Sequence, residues 1–509
     1  MSKHCKIALV LTLAVSMLAV SCGTRKSALK EQVEYLPAKR EFRGAWVPTI
    51  HRNEYSRLTA DQARNLLLAR ISDLRRAGCN AVIFQIRPEA DAWYDSPYEP
   101  WSRFLTGVQG QAPNPAWDPL AFVIEECHKR GMEVHAWINP YRASANLSNK
   151  LSLKHPYHVH PEWFVTYNNQ LFFDPGIPAC RGYICNIVKD VVSRYDVDAI
   201  HMDDYFYPYP VAGEPFPDQT SFATYGIPEG YTPANKADWR RKNVNMLIKE
   251  IKSTILETKP WVRFGISPFG IYRNKRNWAK GSNTNGLQNY DDLYADVMEW
   301  EKRGWIDYVL PQLYWNIGNK AADYQELSQW WSKSMTSKSH LYFGQHIRRT
   351  MDGRQMAPKM LLARRFSQGN AWWPAEDIWS NYKGFADTLT RKYQKHPALL
   401  PEYSHMYQGI PDAVPSLHAE WVPDGFVLMW EDVRDQSRAD PTKPYYYAVY
   451  AFPKGVKVDI DDPRALVSIS NTPYYKLPFR DGKFKFTYVV TTIDRFWNES
   501  KAKKITVKL

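Results

Sequence analysis

Residues 195–210 read YDVDAIHMDDYFYPYP and hold the pattern that decides the fold of this chain. The apolar run from Val197 to Met202 is typical of a strand buried on both faces, and it ends at two adjacent carboxylates, Asp203 and Asp204. Burying a carboxylate is costly unless it is paired or hydrogen-bonded, so packing does not explain this placement. Because parallel α/β barrels build their active sites at the carboxyl ends of strands, we expect Asp203 to lie in a functional cleft. For Asp204, capping of the next helix or a bond to a loop amide is the alternative.

On both sides of this stretch, a unit of apolar strand, polar or aromatic loop and amphipathic helix repeats. The predicted strands are residues 42–47, 81–86, 133–139, 199–203, 263–267, 308–313, 341–345 and 369–373. The predicted helices are residues 60–77, 119–130, one that ends near 195, 235–257, 292–302 and 322–334. This alternation favours an α/β fold, a (β/α)8 TIM barrel over residues 41–410 with enlarged loops on one face. A doubly wound open sheet is the alternative, but no glycine-rich phosphate-binding turn follows the first strand.

After the barrel the pattern changes to short alternating runs such as GFVLMWED, YYYAVYAFP and KFKFTYVVTTID. These runs predict a small all-β sandwich of the immunoglobulin or fibronectin III type over residues 413–509. We interpret the module as a spacer or a packing partner for the barrel, because no cluster of binding residues stands out in it.

The first residues read as targeting sequence. Residues 1–21 form a secretory signal peptide whose apolar segment, residues 7–20, is short for a membrane span. The sequence LAVSCG at 18–23 looks like a bacterial lipoprotein signal in which Cys22 becomes the lipidated N-terminus; an ordinary signal with an incidental cysteine is the alternative. Residues 22–40 are polar and predict a flexible tether. No acidic run follows Cys22, which favours the periplasmic face of an outer membrane over the cell exterior.

The composition of the chain argues against a nucleic-acid partner and favours a carbohydrate ligand. The formal charge is +13 and becomes +11 without the two lysines of the signal, but it is scattered and no nucleic-acid motif accompanies it, so we expect no nucleic-acid partner. Aromatic residues make up 14% of the chain, and many follow strand-like runs, which favours a carbohydrate cleft because aromatic faces stack on sugar rings. Cys180 and Cys185 would be able to pair in an oxidising periplasm, and the sequence leaves this open. We expect a monomer.

Polar and aromatic side chains reach the same end of many predicted strands. The occurrence of these side chains together, more than any single residue, indicates a cleft for polyol recognition and glycosidic cleavage. The candidate substrate-binding residues are Arg87, His135, Asn139, Tyr141, His201, Tyr205, Gln312, Tyr314, Trp315 and Trp372.

Glycoside hydrolysis usually needs two carboxyl groups that flank the bond. Asp203 is the expected nucleophile or stabiliser, and His201, two residues earlier on the same strand face, is expected to keep it ionised. Glu89, just after strand two, is the first choice for the general acid. The reserves are Asp91, Asp204 and Asp174. If the substrate carries N-acetyl groups, its own amide would act as nucleophile, and one protein acid with one orienting Asp would suffice.

Metal catalysis is a further alternative. His135, His201, Asp203 and Asp204 would suit Zn²⁺ or Mg²⁺, as in a metal-dependent polysaccharide deacetylase. The one H-x-H pair, residues 158–160, falls in a loop, and neither H-E-x-x-H nor G-x-S-x-G occurs. We therefore predict no metal and no cofactor.

Six long motifs resemble the glycosyl-hydrolase-like 10 family: EFRGAWVPT, NAVIFQIRPEADAWYDSPYEPWS, GMEVHAWINPYR, DAIHMDDYFYP, FGISPFGIYRN and WIDYVLPQLYW. The resemblance covers about residues 41–400 and implies a (β/α)8 barrel that hydrolyses glycosidic bonds. Some members of the family are envelope lipoproteins that cut peptidoglycan glycan strands stripped of their stem peptides. The matching positions are Arg87, Glu89, Asp91, Asn139, His201, Asp203, Asp204, Tyr205, Gln312 and Tyr314, and the catalytic pair stays open.

The sequence thus predicts a lipid-anchored glycoside hydrolase of the cell envelope, with peptide-free peptidoglycan strands as the best candidate substrate. Another envelope or dietary polysaccharide is an alternative substrate. The alternative functions are a non-catalytic carbohydrate-binding lipoprotein and the metal-dependent deacetylase.

Overall fold

The computed structural model describes residues 37–435, 437 and 439–509. The predicted signal peptide, the predicted lipidation site Cys22 and most of the predicted tether lie outside the described residues. Within the part that is described, no helix is long and apolar enough to cross a membrane. Residues 38–509 form one unit.

A barrel of eight parallel strands forms the first part of this unit, as predicted. The strands are β1 Phe42–Val47, β2 Ala81–Arg87, β3 Glu133–Ile138, β4 Ala199–Met202, β5 Arg263–Ile266, β6 Tyr308–Val309, β7 in two segments, His340–Leu341 and Phe343–His346, and β8 Gly369–Trp373. Each strand pairs with the next in sequence, and β8 pairs with β1. Strand β7 completes the ring, since its first segment pairs with β6 and its second with β8.

Helices cover the outside of the barrel. The main ones are α1 Ala60–Arg76, α2 Pro119–Lys129, α3 Pro178–Arg194, α4 Lys236–Thr258, α5 Val297–Lys302, α6 Tyr324–Ser334, α7 Met356–Phe366 and α8 Glu376–Trp379. Helix α1 begins at a capping box between Thr59 and Gln62 and buries Leu67, Ile71 and Leu74, one face at helical spacing. Short helical segments lie in the loops at Arg103–Thr106, Gln219–Ser221, Asn289–Asp292, Ile347–Asp352 and Phe385–Thr388.

Two predicted elements are shorter in the structure. Strand β6 ends at Val309 because Pro311 has no N–H for the ladder, although Gln312 still bridges Phe269 and Gly344. The predicted helix at residues 292–302 is only α5, which begins after the cap Asp296; the separate turn Asn289–Asp292 precedes it. The loop after β3 folds into a three-stranded sheet of Arg142–Ser144, Phe164–Tyr167 and Gln170–Phe173.

The C-terminal residues form two antiparallel sheets, consistent with a small all-β domain. The strands are β9 His418–Val422, β10 Gly425–Met429, β11 Tyr446–Pro453, β12 Leu466–Ser470, β13 Tyr474–Lys476, β14 Lys485–Ile493 and β15 Lys503–Lys508. One sheet has the order β9-β10-β13 and the other β12-β11-β14-β15. The likeness to fibronectin type III stays a prediction.

This sandwich packs against the amino-terminal end of the barrel. Tyr446 and Trp497 of the sandwich belong to the same buried cluster as Phe42 inside the barrel. Trp497 Nε1 donates to Glu133, the first residue of β3, at 2.5 Å, and Arg263, the first residue of β5, donates to the Arg495 carbonyl at 3.0 Å. The sandwich therefore does not cover the carboxyl ends of the barrel strands, where a functional site can form.

The four cysteines of the described region are free thiols. Cys180 and Cys185, whose pairing the sequence left open, both lie on α3 and form no disulfide.

Candidate active site

A cavity of about 320 Å³ opens at the carboxyl ends of the barrel strands. It is lined by Trp46, Ile50, His51, Gln85, Trp137, Arg142, Asp203, Asp204, Tyr205, Tyr209, Ser267, Gln312, Tyr314 and Trp373. Within the described part of the chain, Asp203 and Asp204 are the only carboxylates among these lining residues. The cavity thus combines one acidic pair with amides, a guanidinium group and several aromatic rings.

Asp203, just past the end of β4, is surrounded by hydrogen-bond donors. Asn139 Nδ2 donates to its Oδ2 at 2.7 Å, Trp137 Nε1 donates to the same oxygen at 3.2 Å, and the Tyr205 backbone N–H donates to Oδ1 at 3.3 Å. Burial raises the pKa of Asp203, and the charge of Arg142 and the Asn139 bond act against that rise. Donors that point at both oxygens favour the ionised carboxylate.

Asp204 has a different environment. Gln312 Nε2 donates to its Oδ1 at 3.0 Å, and the Tyr209 hydroxyl donates to its Oδ2. Burial, followed by the charge of Asp203, raises the pKa of Asp204 to about 7. The Gln312 and Tyr209 bonds act against this rise, but Asp203 has the positive charge of Arg142 beside it, whereas Asp204 has the negative charge of Asp203. Of the two neighbouring carboxyls, Asp204 is therefore the one that keeps a proton near neutral pH, and two carboxyls with different environments are what acid–base division of labour requires.

A second layer of amides orients the donors of Asp203. Gln85 Nε2 donates to Asn139 Oδ1 at 2.6 Å, and Arg142 Nη2 donates to the same oxygen at 2.9 Å. Gln85 is itself held because its Oε1 accepts from the Thr49 backbone N–H at 2.9 Å. Since the Asn139 oxygen already takes two donors, its NH₂ group points to Asp203.

The ring that lines the cavity from β8 is Trp373, and this corrects the prediction for Trp372. Successive side chains of a strand point to opposite faces. Trp373 therefore faces Trp137, with ring centroids 6.2 Å apart, whereas Trp372 packs outside the barrel on Phe385 at 4.8 Å.

Glu89 and Asp91, the first-choice acid and a reserve, do not line the cavity. Glu89 is fully buried, forms an ion pair with Arg103 and accepts the Ala145 backbone N–H at 2.5 Å. Asp91 is also fully buried, and burial followed by the charge of Glu89 raises its pKa to about 7. The placement of this carboxyl pair suits the anchoring of the β2 loop, and Asp204 is the carboxyl with a raised pKa that lines the cavity together with Asp203.

His201 does not support the charge of Asp203, contrary to expectation. Burial and then the neighbouring His135 lower the pKa of His201 well below its ordinary value, so the ring is neutral. It bonds to Tyr308 and Ser267 inside the barrel. Arg142 provides the positive charge instead.

Five other predicted substrate-binding residues lie outside the cavity lining, namely Arg87, His135, Asn139, Tyr141 and Trp315. Arg87 is buried and donates twice to Glu99, at 2.8 and 2.6 Å. His135 is buried within the barrel, Tyr141 is buried, and Trp315 packs against Phe269 at 5.4 Å. Asn139 holds Asp203 from behind, while Tyr205, Gln312 and Tyr314 line the cavity as predicted.

Ile50 and His51 line the cavity and were not foreseen. Their one signal in the sequence is that they follow β1 closely, on the loop face where active sites of such barrels are built. No three His, Cys, Asp or Glu side chains of the described residues form a group able to hold a metal ion.

Known proteins are similar to this chain. The model of the family described as Glycosyl hydrolase-like 10 matches residues 41–360. Glycosyl hydrolase YngK of Bacillus subtilis (strain 168) is 40% identical over 490 residues, which cover 92% of this chain and 94% of that protein. Glycosyl hydrolase DigH of Escherichia coli (strain K12) is 37% identical over 350 residues, covering 65% of this chain and 77% of that protein.

Among solved structures, the glycoside hydrolase domain of PgaB from Bordetella bronchiseptica matches 69% of this chain and 98% of that domain, with a TM-score of 0.46 and 11% identity. The strand order and pairing of this chain themselves define its barrel.

Proposed function

The chain belongs to the glycosyl hydrolase-like 10 family and is a glycoside hydrolase, and from this premise we propose that its substrate is an N-acetylated glycan of the bacterial envelope. Peptidoglycan strands that carry no stem peptides are the best candidate. The observation that carries the proposal is the pair Asp203–Asp204, the only carboxylates among the described residues that line the cavity. A pair of adjacent carboxyls on one strand end does not flank a glycosidic bond from two sides, as two-carboxylate glycosidases require.

An acetamido group on the substrate resolves this difficulty. In substrate-assisted hydrolysis the acetamido oxygen is the nucleophile, so the protein needs one acid and one carboxylate that orients the amide. Asp204, which holds its proton near neutral pH, suits the acid. Asp203, which accepts bonds from Asn139, Trp137 and the Tyr205 N–H, suits the orienting carboxylate.

The proposed reaction has two steps. In the first, the acetamido oxygen attacks C1, the bond from C1 to the glycosidic oxygen breaks, and Asp204 gives its proton to the departing oxygen. Asp203 accepts a hydrogen bond from the amide N–H and stabilises the positive charge of the cyclic intermediate. In the second, Asp204 takes a proton from water as the water oxygen attacks C1, the bond from C1 to the acetamido oxygen breaks, and the acetamido group stays on the sugar. The product keeps its anomeric configuration.

The cavity walls support a polysaccharide ligand. Trp46, Trp137, Tyr314 and Trp373 present aromatic surface, and Gln85 presents an amide, the combination that binds the apolar faces and hydroxyls of sugars. The basic chain, +13 by formal charge, favours approach to an anionic polymer.

The proposal is tested by incubating the full-length protein, purified in detergent, with peptide-free peptidoglycan strands and measuring new reducing ends and product masses. We expect turnover by the wild type and a loss of about a hundredfold or more in Asp203→Asn and Asp204→Asn, the order expected for an acid–base group. Glu89→Gln is the matched control, a buried carboxyl outside the cavity, and we expect it to keep activity within a few-fold.

Two control substrates test the acetamido nucleophile and the preference for peptide-free strands separately. Strands whose acetyl groups have been removed chemically lack the nucleophile and should not be cut; cleavage of them at the same rate would refute substrate assistance. Intact strands with stem peptides should be cut more slowly. Binding without cleavage of any glycan would favour a carbohydrate-binding protein, and acetate release without cleavage would favour a deacetylase.

We further propose that the protein is lipid-anchored through Cys22, at the outer membrane and facing the periplasm. The support is the lipoprotein-like LAVSCG sequence at residues 18–23 and the missing acidic run after it. Labelling of cells with a clickable palmitate analogue should mark the wild type and not Cys22→Ala. An unlabelled wild type would refute the anchor and leave the glycosidase proposal untouched.

A further inference from the structure

A line of hydrogen-bonded side chains runs through the interior of the barrel beneath the cavity. Trp46 Nε1 donates to His201 Nε2 at 3.2 Å, and His201 Nδ1 lies 2.8 Å from the Tyr308 hydroxyl. The same hydroxyl lies 2.8 Å from His135 Nδ1, and His135 Nε2 lies 2.9 Å from Glu133 Oε2. All five side chains are buried, so each proton in the line has a protein partner and not bulk water.

With Trp46 as the donor at one end of the line, its bonds take one direction. An indole N–H only donates, so Nε2 of His201 is the acceptor and its proton is on Nδ1. That Nδ1–H donates to the Tyr308 oxygen, and the Tyr308 hydroxyl then donates to His135 Nδ1. Tyr308 is therefore the one member of the line that accepts from one imidazole and donates to the other.

The backbone makes room for the two rings in this line. A Cβ atom on Gly265 would lie 1.8 Å from the Tyr308 ring, and one on Gly344 would lie 2.8 Å from the Trp46 ring. Any side chain at Gly265 would displace Tyr308. Glycine at both positions thus leaves the space that the Tyr308 and Trp46 rings fill in the barrel interior.

The end of the line at Trp46 and His201 includes or contacts two residues that line the cavity, Trp46 and Ser267. Trp46 lines the cavity and meets Tyr314 edge to face, with centroids 6.4 Å apart. The Ser267 hydroxyl lies 3.0 Å from His201 Nε2, and the Ser267 carbonyl accepts from Gln312 at 3.0 Å. Gln312 also donates to the proposed acid Asp204, so His201 adjoins the ring wall through Trp46 and the neighbourhood of the acid through Ser267.

We propose that Tyr308 is a positioning residue of the glycosidase, which holds His201 in its Nδ1–H tautomer and thereby fixes Trp46 and Ser267 at the floor of the cavity. Tyr308 touches no substrate, since it is buried below the lining residues. The proposal rests on the glycosidase activity and on the cavity described above. Networks in which every donor has its acceptor rigidify a site, and the loss of one member releases the others.

The variant Tyr308→Phe removes only the hydroxyl. His201 then has no acceptor for Nδ1–H, and the tautomer with Nε2–H, which can donate to Ser267, becomes the better one. In that tautomer two N–H groups of His201 and Trp46 face each other, so the Trp46 ring must move. Because small misplacements of groups around a reacting bond cost large factors in rate, we expect kcat/KM to fall roughly tenfold to a hundredfold.

Tyr342→Phe is the matched control. Tyr342 is also fully buried in the barrel, and its hydroxyl also joins two partners, Tyr403 at 2.9 Å and His340 Nδ1 at 2.8 Å. It stacks on Phe42 at 4.0 Å and has no bond to His201. We expect this variant to lose a similar amount of thermal stability and to keep wild-type kcat/KM.

The deciding readout is the imidazole ¹⁵N spectrum of His201 in protein labelled at histidine, assigned with His201→Asn. The wild type and Tyr342→Phe should show the Nδ1–H tautomer, and Tyr308→Phe the Nε2–H tautomer with a shifted Trp46 indole N–H. An Nε2–H tautomer in the wild type, or an unchanged one in Tyr308→Phe, would overturn the proposal, as would an equal loss of activity in both Phe variants. The tautomers are measured without substrate, so failure of the proposed glycan as a substrate leaves this test standing.

Discussion

Replacement of Asp204 by Asn removes a carboxyl whose proton the folded protein holds more tightly than the unfolded chain does. Burial and the charge of Asp203 raise the pKa of Asp204 from 3.8 to about 7. The Asn side chain keeps the shape and an oxygen that accepts from Gln312, while the Tyr209 hydroxyl can turn to accept from the new NH₂ group. The variant thus isolates the cost of an ionised carboxyl at this place.

The size of the effect follows from the pKa. One unit is worth about 1.4 kcal/mol, so a rise of roughly three units corresponds to about 4 kcal/mol. Asp204 is only 2% exposed, so solvent screens little of this. Below about pH 4 both states are protonated and the wild type loses no stability; as the pH rises towards 7 the unfolded chain releases the proton that the folded protein keeps, and the free energy of unfolding of the wild type falls. The Asp204→Asn variant has no such loss, because its amide does not titrate.

The assay is equilibrium urea unfolding of the wild type and Asp204→Asn at several values between about pH 4 and pH 8. The variant should gain stability relative to the wild type with rising pH, up to about 4 kcal/mol across the window. Asp352→Asn is the control, because Asp352 is an exposed carboxylate paired with Lys383, and no comparable gain is expected there. Parallel stability curves for the wild type and Asp204→Asn would refute the raised pKa and with it the choice of acid.

Four further results are expected. The kcat/KM should fall as the pH rises through about 7, because Asp204 must be protonated to donate, and the fall should be absent from the residual activity of Asp204→Asn; a flat profile would contradict the assignment. Trp373→Ala should raise KM about tenfold through lost ring contact, measured by steady-state kinetics, and an unchanged KM would remove this ring from the binding surface. Glu89→Gln should lower the melting temperature, because it breaks the buried pair with Arg103, while kcat stays within a few-fold of the wild type; an unchanged melting temperature with a loss of kcat of about a hundredfold would restore Glu89 as the acid. Incubation with EDTA should leave turnover unchanged, and a loss restored by Zn²⁺ or Mg²⁺ would favour metal catalysis.

The fold was predictable because its signal is repetitive. Each apolar run followed by an amphipathic helix reports the same unit, and the end of β4 at Asp203 and Asp204 shows where the barrel opens. The observed bounds differ from the predicted ones where a residue interrupts the hydrogen bonding. Pro311, which has no N–H, ends β6 early.

The sequence predicts which strand ends contribute residues to the site, but it does not predict which side chain at each end faces the cavity. Trp372 and Trp373 are neighbours in sequence, and which of them faces the cavity depends on strand register, which the aromatic pair alone does not reveal. Glu89 follows a strand end as Asp203 does, but Arg103, fourteen positions later, pairs with it. The role of His201 was misjudged because burial in the barrel and the neighbouring His135, which is far from it in sequence, lower its pKa and leave the ring neutral.

The position of the sandwich at the amino-terminal end of the barrel bears on how this protein can change in evolution. Trp497 reaches the buried Glu133, and Tyr446 lies in the same core as the barrel interior, so the break in pattern near residue 413 is not a break in the core. A gene that lost or exchanged the codons of the sandwich would leave Glu133 short of a donor and the base of the barrel open to water. We therefore expect that loss of the C-terminal module would destabilise the barrel, since the two share one buried core.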